Sequence, residues 1–562
     1  MKVNQTSTDS KTNLVRYILW GAILICLAMQ FFMARRFEIN FDEFYNLNMG
    51  YEFLRGEVTN PFQTIFFRFA SWLDFIQGNE VDQIVAGRMF TYGASVLTCF
   101  FIYKLSRRYF SVQASLFAVL SLFSFFYVFR HMTAFRTDII ITMYLMAILW
   151  VVSDPNQNKY KVLIAGFLIG LSFTLALKSI FYMPVVAIFL LGRWQASAWS
   201  RQEFIHGVTM FLVAVITYVI LFILHDPSLS NADSSARYLQ SLSETEEGES
   251  GLFKTWGILV DSVLKNPLGW WLLILGFTLV ATDIKNDVGR PKYMTIALLT
   301  FLFPLSTVIY YYHANAYFYP FMLAPAVIFI AAAIDRFGLP DKPTIFIVLI
   351  GVFSYLPVSI FIRSVSQHQL SQRAVLNAVH EIFPSPVPVM DYCGMISTFD
   401  RVNESGLFIN PDIFGHVKYS LNKKPVMKKA IISYQPQIIL ANTSGLDLNQ
   451  EYQHLYLYPL LTEDTEVLQN NYVKIWGPIF IPGQQLREDG SFEVLVSGIY
   501  TIKGSTGITI DGTLIKNGQT LFLAQGMHEL SGLKGGSVQL VWGDNLKKPD
   551  IPEPTRPLFH GF

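Results

Sequence analysis

The stretch that decides the fold runs from Ile84 to Val152: IVAGRMFTYGASVLTCFFIYKLSRRYFSVQASLFAVLSLFSFFYVFRHMTAFRTDIIITMYLMAILWVV. It holds three apolar runs, 84–103, 111–129 and 138–152, separated by short polar breaks. The first break is basic, with Lys104, Arg107 and Arg108. The second holds Arg130 and Arg136. An apolar run of about 17–25 residues can cross a bilayer, and short loops rich in Lys and Arg mark the cytoplasmic side. The stretch therefore reads as consecutive membrane passes. It also keeps Arg88, Arg136 and Asp138 at or near the ends of apolar runs, where a charge is costly and usually has a task.

Working outward, eight more apolar runs appear: 16–34, 162–178, 179–192, 206–224, 267–282, 293–312, 318–334 and 344–362. That makes about eleven transmembrane helices, with the short runs at 138 and 179 tucked inside a bundle. The first run ends in FFMARRF with no small-x-small cleavage site, so it reads as a signal anchor. Of the 562 residues, 52% are apolar and only 15% are charged, against roughly 25% charged in soluble domains. That excludes a disordered chain. The formal net charge is +1, so there is no basic excess of the kind that nucleic-acid binders show. Three cysteines, Cys26, Cys99 and Cys393, make no disulfide framework.

Beyond Arg363 the long apolar runs cease. The expected organisation is a membrane domain at 1–363, an extracytoplasmic α/β domain at 364–483 and a β-sandwich-like domain with a Pro-rich tail at 484–562. Periodic apolar residues predict a helix within 364–383. Asp511-Gly512 and Asn517-Gly518 are hairpin signals. With the N-terminus inside, the basic loops at 104–108, 159–161 and 285–292 are cytoplasmic. The loops at 35–83, 130–137, 225–266 and 313–317, and everything after 363, then lie outside; Arg35 and Arg36 run against the rule.

The first outer loop opens with Phe41-Asp42-Glu43-Phe44-Tyr45. A carboxylate at a low-dielectric boundary is suited to take a proton. Asp42 and Glu43 are the candidate catalytic acids. Arg88, Arg130, Arg136, Asp138, Lys178, His313 and Tyr317 fall at the outer ends of spans in this topology and are candidate substrate- or phosphate-binding residues. Cations would hold a phosphate leaving group. Each has a plainer reading beside it. Asp138 would favour a helix N-terminus, Arg88 and Arg130 would snorkel to headgroups, and Lys178 would pair with Asp138. The acidic cluster SETEEGES at 243–250 reads as a solvated loop or a lid.

The order of these features resembles the C-type membrane glycosyltransferases of the protein O-mannosyltransferase and aminoarabinose-transferase type. The resemblance covers about residues 15–363. It rests on Asp42-Glu43 after the first span, Leu54-Arg55-Gly56-Glu57, AGRMFTYGASVLTCFFIYKLSRRYF at 86–110, Arg136-Thr137-Asp138, Lys178, and YFYPFMLAPA at 317–326. It implies a multi-pass enzyme that takes a sugar from a polyprenyl-phosphate donor to a lipid, glycan or protein acceptor at the outer face of a bacterial cytoplasmic membrane. By that resemblance Asp42 is the base and Glu43 assists it or binds a metal. Arg88, Arg136 and Lys178 bind the carrier phosphate, and Asp138 orients them. Members with a lipid acceptor have a Glu-Lys-Pro-Pro-like segment where Asn60-Pro61-Phe62-Gln63 stands in this chain.

No P-loop, HExxH, GxSxG or CxxC occurs in the sequence. No cofactor is indicated; a divalent ion, Mg or Mn, at Asp42 or Glu43 is compatible with the chemistry. The alternatives are a polar-lipid transporter or flippase, which an inverted repeat would favour, and a non-catalytic receptor or assembly protein.

Overall fold

The computed structural model describes residues 3–56, 64–225, 255–284, 291–311, 314–399, 424–443, 446–449, 460–504, 507–533, 535–554 and 558–559. They form two compact units. The first comprises residues 1–37, 57–70 and 85–366, and the second 38–56, 71–84 and 367–562.

The helices in chain order are α1 (Val3–Arg36), α2 (Phe41–Arg55), α3 (Thr64–Ala70), α4 (Glu80–Ser106), α5 (Val112–Ser124), α6 (Phe126–His131), α7 (Thr137–Val152), α8 (Lys159–Leu175), α9 (Met183–Ala196) and α10 (Arg201–His225). There follow α11 (Trp256–Lys265), α12 (Pro267–Asp283), α13 (Lys292–Leu299), α14 (Phe303–Tyr310), α15 (Tyr319–Ala326), α16 (Ile328–Arg336) and α17 (Pro343–Ser364). In the second unit come α18 (Leu370–Ile382), α19 (Met427–Tyr434) and α20 (Thr462–Asn471).

All eleven apolar runs fall on helices, but not all on long straight ones. Among the described residues, six helices are long and apolar enough to cross a membrane, or eight if each of two bent pairs is one span. The interruptions have local causes. Phe125 is extended and separates α5 from α6. Asn266 leaves helical geometry before Pro267, and α11 and α12 meet at 100°. Pro325 sits inside α15, next to a 43° bend into α16; a proline removes a ladder bond and crowds the preceding turn. Starts are capped: the side chains of Ser111, Asn158 and Asn266 accept the backbone N–H of Ala114, Lys161 and Gly269.

Small residues let the first unit pack closely. A Cβ on Gly166 would stand 2.6 Å from the Met210 carbonyl oxygen, and one on Gly170 2.5 Å from that of Ala214. The spacing of four residues puts both glycines on one face of α8, against α10, the small-xxx-small arrangement of membrane helices. Gly276 of α12 does the same against Phe329 of α16.

Among the described residues, the second unit carries eleven strands: β1 (Val389–Met390), β2 (Ile438–Leu440), β3 (Tyr472–Trp476), β4 (Ile479–Leu486), β5 (Gly490–Val494), β6 (Gly498–Lys503), β7 (Ile508–Ile510), β8 (Thr513–Ile515), β9 (Thr520–Leu523), β10 (Gly526–Ser531) and β11 (Val538–Trp542). One sheet has the order β1-β2-β4-β11-β6-β9, with β3 also on β4, and the other β5-β10-β7-β8. Among the described residues, only β1 and β2 pair in parallel, Val389 opposite Ile438. Strands of both sheets share one core of Phe492, Ile502, Ile510, Leu530 and Leu540. β4 straddles the boundary expected at 483, so the two expected outer domains have a sheet in common. Asp511-Gly512 joins β7 to β8 with both φ positive, at 49° and 79°. Asn517-Gly518 does not close the expected hairpin: it carries the chain from β8 in one sheet to β9 in the other. The Asn517 side chain accepts from the Gly504 N–H, and the Gly518 N–H donates to Ile502, which fixes that crossing.

Candidate active site

Within the first unit, α4 seats the segment that leads into α7. Thr91 Oγ1 donates to the Thr133 carbonyl at 2.8 Å, and Ser95 Oγ to that of Met132 at 2.5 Å. Gly87 leaves room for the Phe135 ring, which a Cβ would meet at 2.5 Å. The chain then runs extended through Arg136 into the first turn of α7. Forty residues on, α8 ends at Leu175. Ala176 is extended, and a 3-10 turn, Leu177–Tyr182, precedes α9. These two breaks bring three charges together. Asp138, 3% exposed, accepts from Lys178 Nζ on Oδ1 and from Arg136 Nε on Oδ2, the latter at 3.1 Å. The Arg136 guanidinium lies 3.6 Å from the centre of the Tyr317 ring, and Lys178 Nζ 5.4 Å from that of Phe318. One carboxylate thus organises two cations over an aromatic floor. The pairing of Lys178 with Asp138, the plainer reading of the sequence, exists, and it does not exclude a phosphate-binding role.

Arg88 and Arg130 converge on Phe37. Arg88, 3% exposed, donates from Nη1 to the Phe37 carbonyl at 2.7 Å, and the Arg130 guanidinium is 5.4 Å from the Phe37 ring centre. An apolar cavity of about 450 Å³ lies between α8, α9 and α10, lined by Phe173, Met183, Val186, Leu190, Met210 and Phe211 among others. Its lining starts five residues to either side of Lys178 in the chain, at Phe173 and Met183.

Within the second unit, Asp42 and Glu43 occupy the first turn of α2 and differ in circumstance. Asn40 Oδ1 accepts the Asp42 N–H at 2.8 Å, and Glu43 Oε1 accepts the Asn40 N–H at 3.0 Å. This is a capping box. Glu43 is 1% exposed and its carboxylate closes the cap, whereas Asp42 is only partly buried. Gly56 ends the helix in the left-handed region, φ 74°.

The sequence reading missed a polar cluster in the same unit. Glu80, fully buried, accepts from Thr398 Oγ1 at 2.5 Å and meets His380 Nε2 at 3.0 Å. Asp82 pairs with Arg373 at 2.6 Å, and Asn79 Nδ2 donates to Asn377 Oδ1 at 2.7 Å. The start of α4 is thereby fastened to α18. Burial lowers the His380 pKa, but the hydrogen bond and charge of Glu80 outweigh it and hold the imidazole above its ordinary value. No sequence signal pairs Asn79-Glu80 with the amphipathic 370–382, since some 300 residues separate them.

His313, Glu57, Asn60 to Gln63 and the acidic cluster at 243–250 lie outside the described residues. Among the described residues, no three His, Cys, Asp or Glu side chains gather as metal ligands. Asp42 and Glu43 bring two adjacent carboxylates, and the cap uses Oε1 of the second.

Residues 77–222, which contain Arg88, Arg130, Arg136, Asp138 and Lys178, match the sequence profile of the family described as dolichyl-phosphate-mannose-protein mannosyltransferase. A search of curated proteins gives no match. Among solved structures, the oligosaccharyltransferase of Archaeoglobus fulgidus in its apo form is 11% identical with a TM-score of 0.51, over 90% of this chain and 76% of that one. AglB from Archaeoglobus fulgidus, in complex with an inhibitory peptide and a dolichol-phosphate, is 11% identical with a TM-score of 0.50, over 91% and 76%. ArnT from Cupriavidus metallidurans, bound to undecaprenyl phosphate, is 14% identical with a TM-score of 0.49, over 75% and 92%. At such identities the likeness is one of fold. The chain is a multi-pass integral membrane protein with the fold of the C-type membrane glycosyltransferases, and over residues 77–222 it resembles the mannosyltransferases among them.

Proposed function

We propose that this protein transfers a sugar from a polyprenyl-phosphate carrier to a hydroxyl or phosphate acceptor at the outer face of a bacterial cytoplasmic membrane, with the second unit outside. The eleven apolar runs are read as eleven passes, and the β-rich end as a sandwich. The observation that carries the reading is the Arg136–Asp138–Lys178 trio, assembled at two breaks in apolar helices inside the stretch that matches the mannosyltransferase profile. Two cations on one buried carboxylate leave a net positive charge, which a phosphate group would neutralise.

In the reaction, the acceptor O–H gives its proton to Asp42 and the oxygen attacks the anomeric carbon. The bond from that carbon to the carrier phosphate breaks, and the electron pair leaves on the phosphate. Arg136 and Lys178, with Arg88 and Arg130, neutralise that charge as it develops, and Asp138 keeps the two cations in register. A single in-line displacement inverts the anomeric configuration. The isoprenoid tail fits the apolar cavity beside α8, α9 and α10, whose volume falls within the usual range for ligand pockets. Glu43 positions Asp42 through the cap.

The test is mass spectrometry of polyprenyl-phosphate sugars in cells lacking the protein, complemented with wild type, Asp42→Asn or Glu43→Gln. One carrier-linked sugar is expected to accumulate in the null strain and with Asp42→Asn, general-base loss costing roughly 10²–10⁴-fold in turnover. Glu43→Gln keeps the cap, since Gln serves at that position, and is expected to complement. A wild-type lipid profile with Asp42→Asn would remove Asp42 as the base.

A further inference from the structure

At the carboxyl ends of the parallel strands β1 and β2, the second unit makes a turn, Asp391 to Thr398, that is almost wholly buried. Loops usually run over a surface where water satisfies them. This one is satisfied from within. Asp391 Oδ2 accepts the Ile396 N–H at 2.8 Å, and Ser397 Oγ donates to the Gly394 carbonyl at 2.5 Å. Asn442, just past β2, brackets the Tyr392 backbone, accepting its N–H at 2.8 Å and donating to its carbonyl at 2.9 Å. Arg55 at the end of α2 donates to the Ser397 carbonyl at 3.4 Å, and Glu80 accepts the Thr398 N–H at 3.3 Å. Within this frame Cys393 is held at φ 63°, left-handed, with Gly394 next to it at 75°. A side chain disfavours that region, and surroundings that over-determine it are common at functional sites.

The turn presents Tyr392 to the start of α2. The Tyr392 and Phe41 ring centres are 5.7 Å apart, and Asp42 follows Phe41 directly. Burial first, then the Cys393 thiol, then the charge of Asp42 hold the phenol well above its ordinary value, so it stays protonated at neutral pH. The titratable groups placed around it are Asp42 on α2, Cys393 beside it and Asp391 one residue back. The carboxyl ends of parallel strands are also where open α/β sheets bind ligands.

We infer that Tyr392 is a positioning residue for Asp42, and that the turn 391–398 is the rigid wall that fixes the carboxylate for the proton transfer. The inference rests on the transferase reading above. The ring packs on Phe41 and so steadies the first turn of α2, which carries Asp42, and being neutral it adds no second negative charge beside the base. A base held this way is sensitive to small displacement, a misplacement of about 1 Å costing up to about a hundredfold.

The experiment uses the full chain in nanodiscs. 3-Fluorotyrosine is placed at position 392 and its ¹⁹F signal titrated, alone and with Asp42→Asn. The ¹⁹F shift is expected to move as acidification protonates Asp42, and to lose that movement with Asp42→Asn; the same pH response in the two proteins overturns the contact, independently of any activity. In the second arm Tyr392→Ala, which removes the ring from Phe41, is expected to lose roughly ten- to a hundredfold in kcat, while Tyr392→Phe, which keeps the ring there, is expected to stay close to wild type. In Tyr392→Ala the donor KM should stay within about twofold, and the acid limb of the kcat–pH profile should be displaced. A wild-type kcat and pH profile in Tyr392→Ala, together with an inactive Asp42→Asn, overturns the positioning role and leaves the transferase reading standing. An active Asp42→Asn overturns that reading instead.

Discussion

Removing the charge of Asp138 separates two roles for the trio. The carboxylate is 4% exposed as a side chain, and Arg136 and Lys178 are each 15% exposed, so water screens little of their attraction. At an effective dielectric constant of about 20, unit charges about 4 Å apart attract by about 4 kcal/mol, and Asp138 has two such partners. Desolvation cancels much of this, and losing one member of a buried pair costs about 3–5 kcal/mol net. Asp138→Asn is therefore expected to lower the folded-to-unfolded ratio by roughly two to four orders of magnitude. The assay is thermal unfolding of the protein in nanodiscs, followed by fluorescence-detected size exclusion. Adding Lys178→Met removes one of the two cations and is expected to restore a large part of the lost stability. Sugar transfer by the double variant should stay low, because one of the cations proposed to neutralise the leaving phosphate is gone. Two results would refute this reasoning. If Asp138→Asn is as stable as wild type, the carboxylate does not hold the breaks before α7 and α9. If the double variant transfers sugar at the wild-type rate, the pair is structural glue alone.

Two further outcomes follow from geometry. Gly170→Leu sets a side chain where a Cβ alone meets the Ala214 carbonyl oxygen at 2.5 Å, so α8 and α10 must part; unfolding temperature and yield in detergent should both fall, while Gly93→Leu, which meets nothing within 4 Å, serves as the tolerated control. For His380, the folded imidazole has a pKa raised above its ordinary 6.5, so its contribution is fully present below pH 6.5 and fades as pH rises through the folded value. Hydrogen exchange of α18 in the full chain should accelerate from pH 6 to pH 8, and Glu80→Gln should flatten that dependence; equal slopes in the two proteins would discount the pair.

Hydropathy located every apolar run, because burial in lipid is written into composition residue by residue. It did not locate the bends. Phe125 is as apolar as its neighbours, and nothing in its side chain announces that the chain turns extended there. Asn266-Pro267 and Pro325 were readable as breaks, but the angle at each is decided by what packs around it. Among the charges, Asp138 and Lys178 were legible because a charge inside an apolar run is rare. Glu43 was legible as an acid, but its work in the cap needed Asn40 to be read with it at a spacing of three. Glu80, His380 and Tyr392 carried no signal above background, since each gains meaning only from partners far away in sequence. Asn517-Gly518 has hairpin chemistry and serves a crossing between sheets, because the Gly504 N–H donates to the Asn517 side chain and the Ile502 carbonyl accepts the Gly518 N–H.

The second unit is discontinuous in the chain, and that has a consequence for biosynthesis. Its segments 38–56 and 71–84 are made early, whereas every other piece begins at residue 367. Translation at about 5–20 residues per second puts on the order of 15–60 s between Ile84 and the synthesis of its first partners. Through that interval Glu80 has neither His380 nor Thr398, and the turn that sets Tyr392 on Phe41 does not exist. The nascent chain must therefore pass through a stage in which the membrane passes are threaded while two of the segments that complete this unit wait, with their future core faces exposed, for the last third of the message.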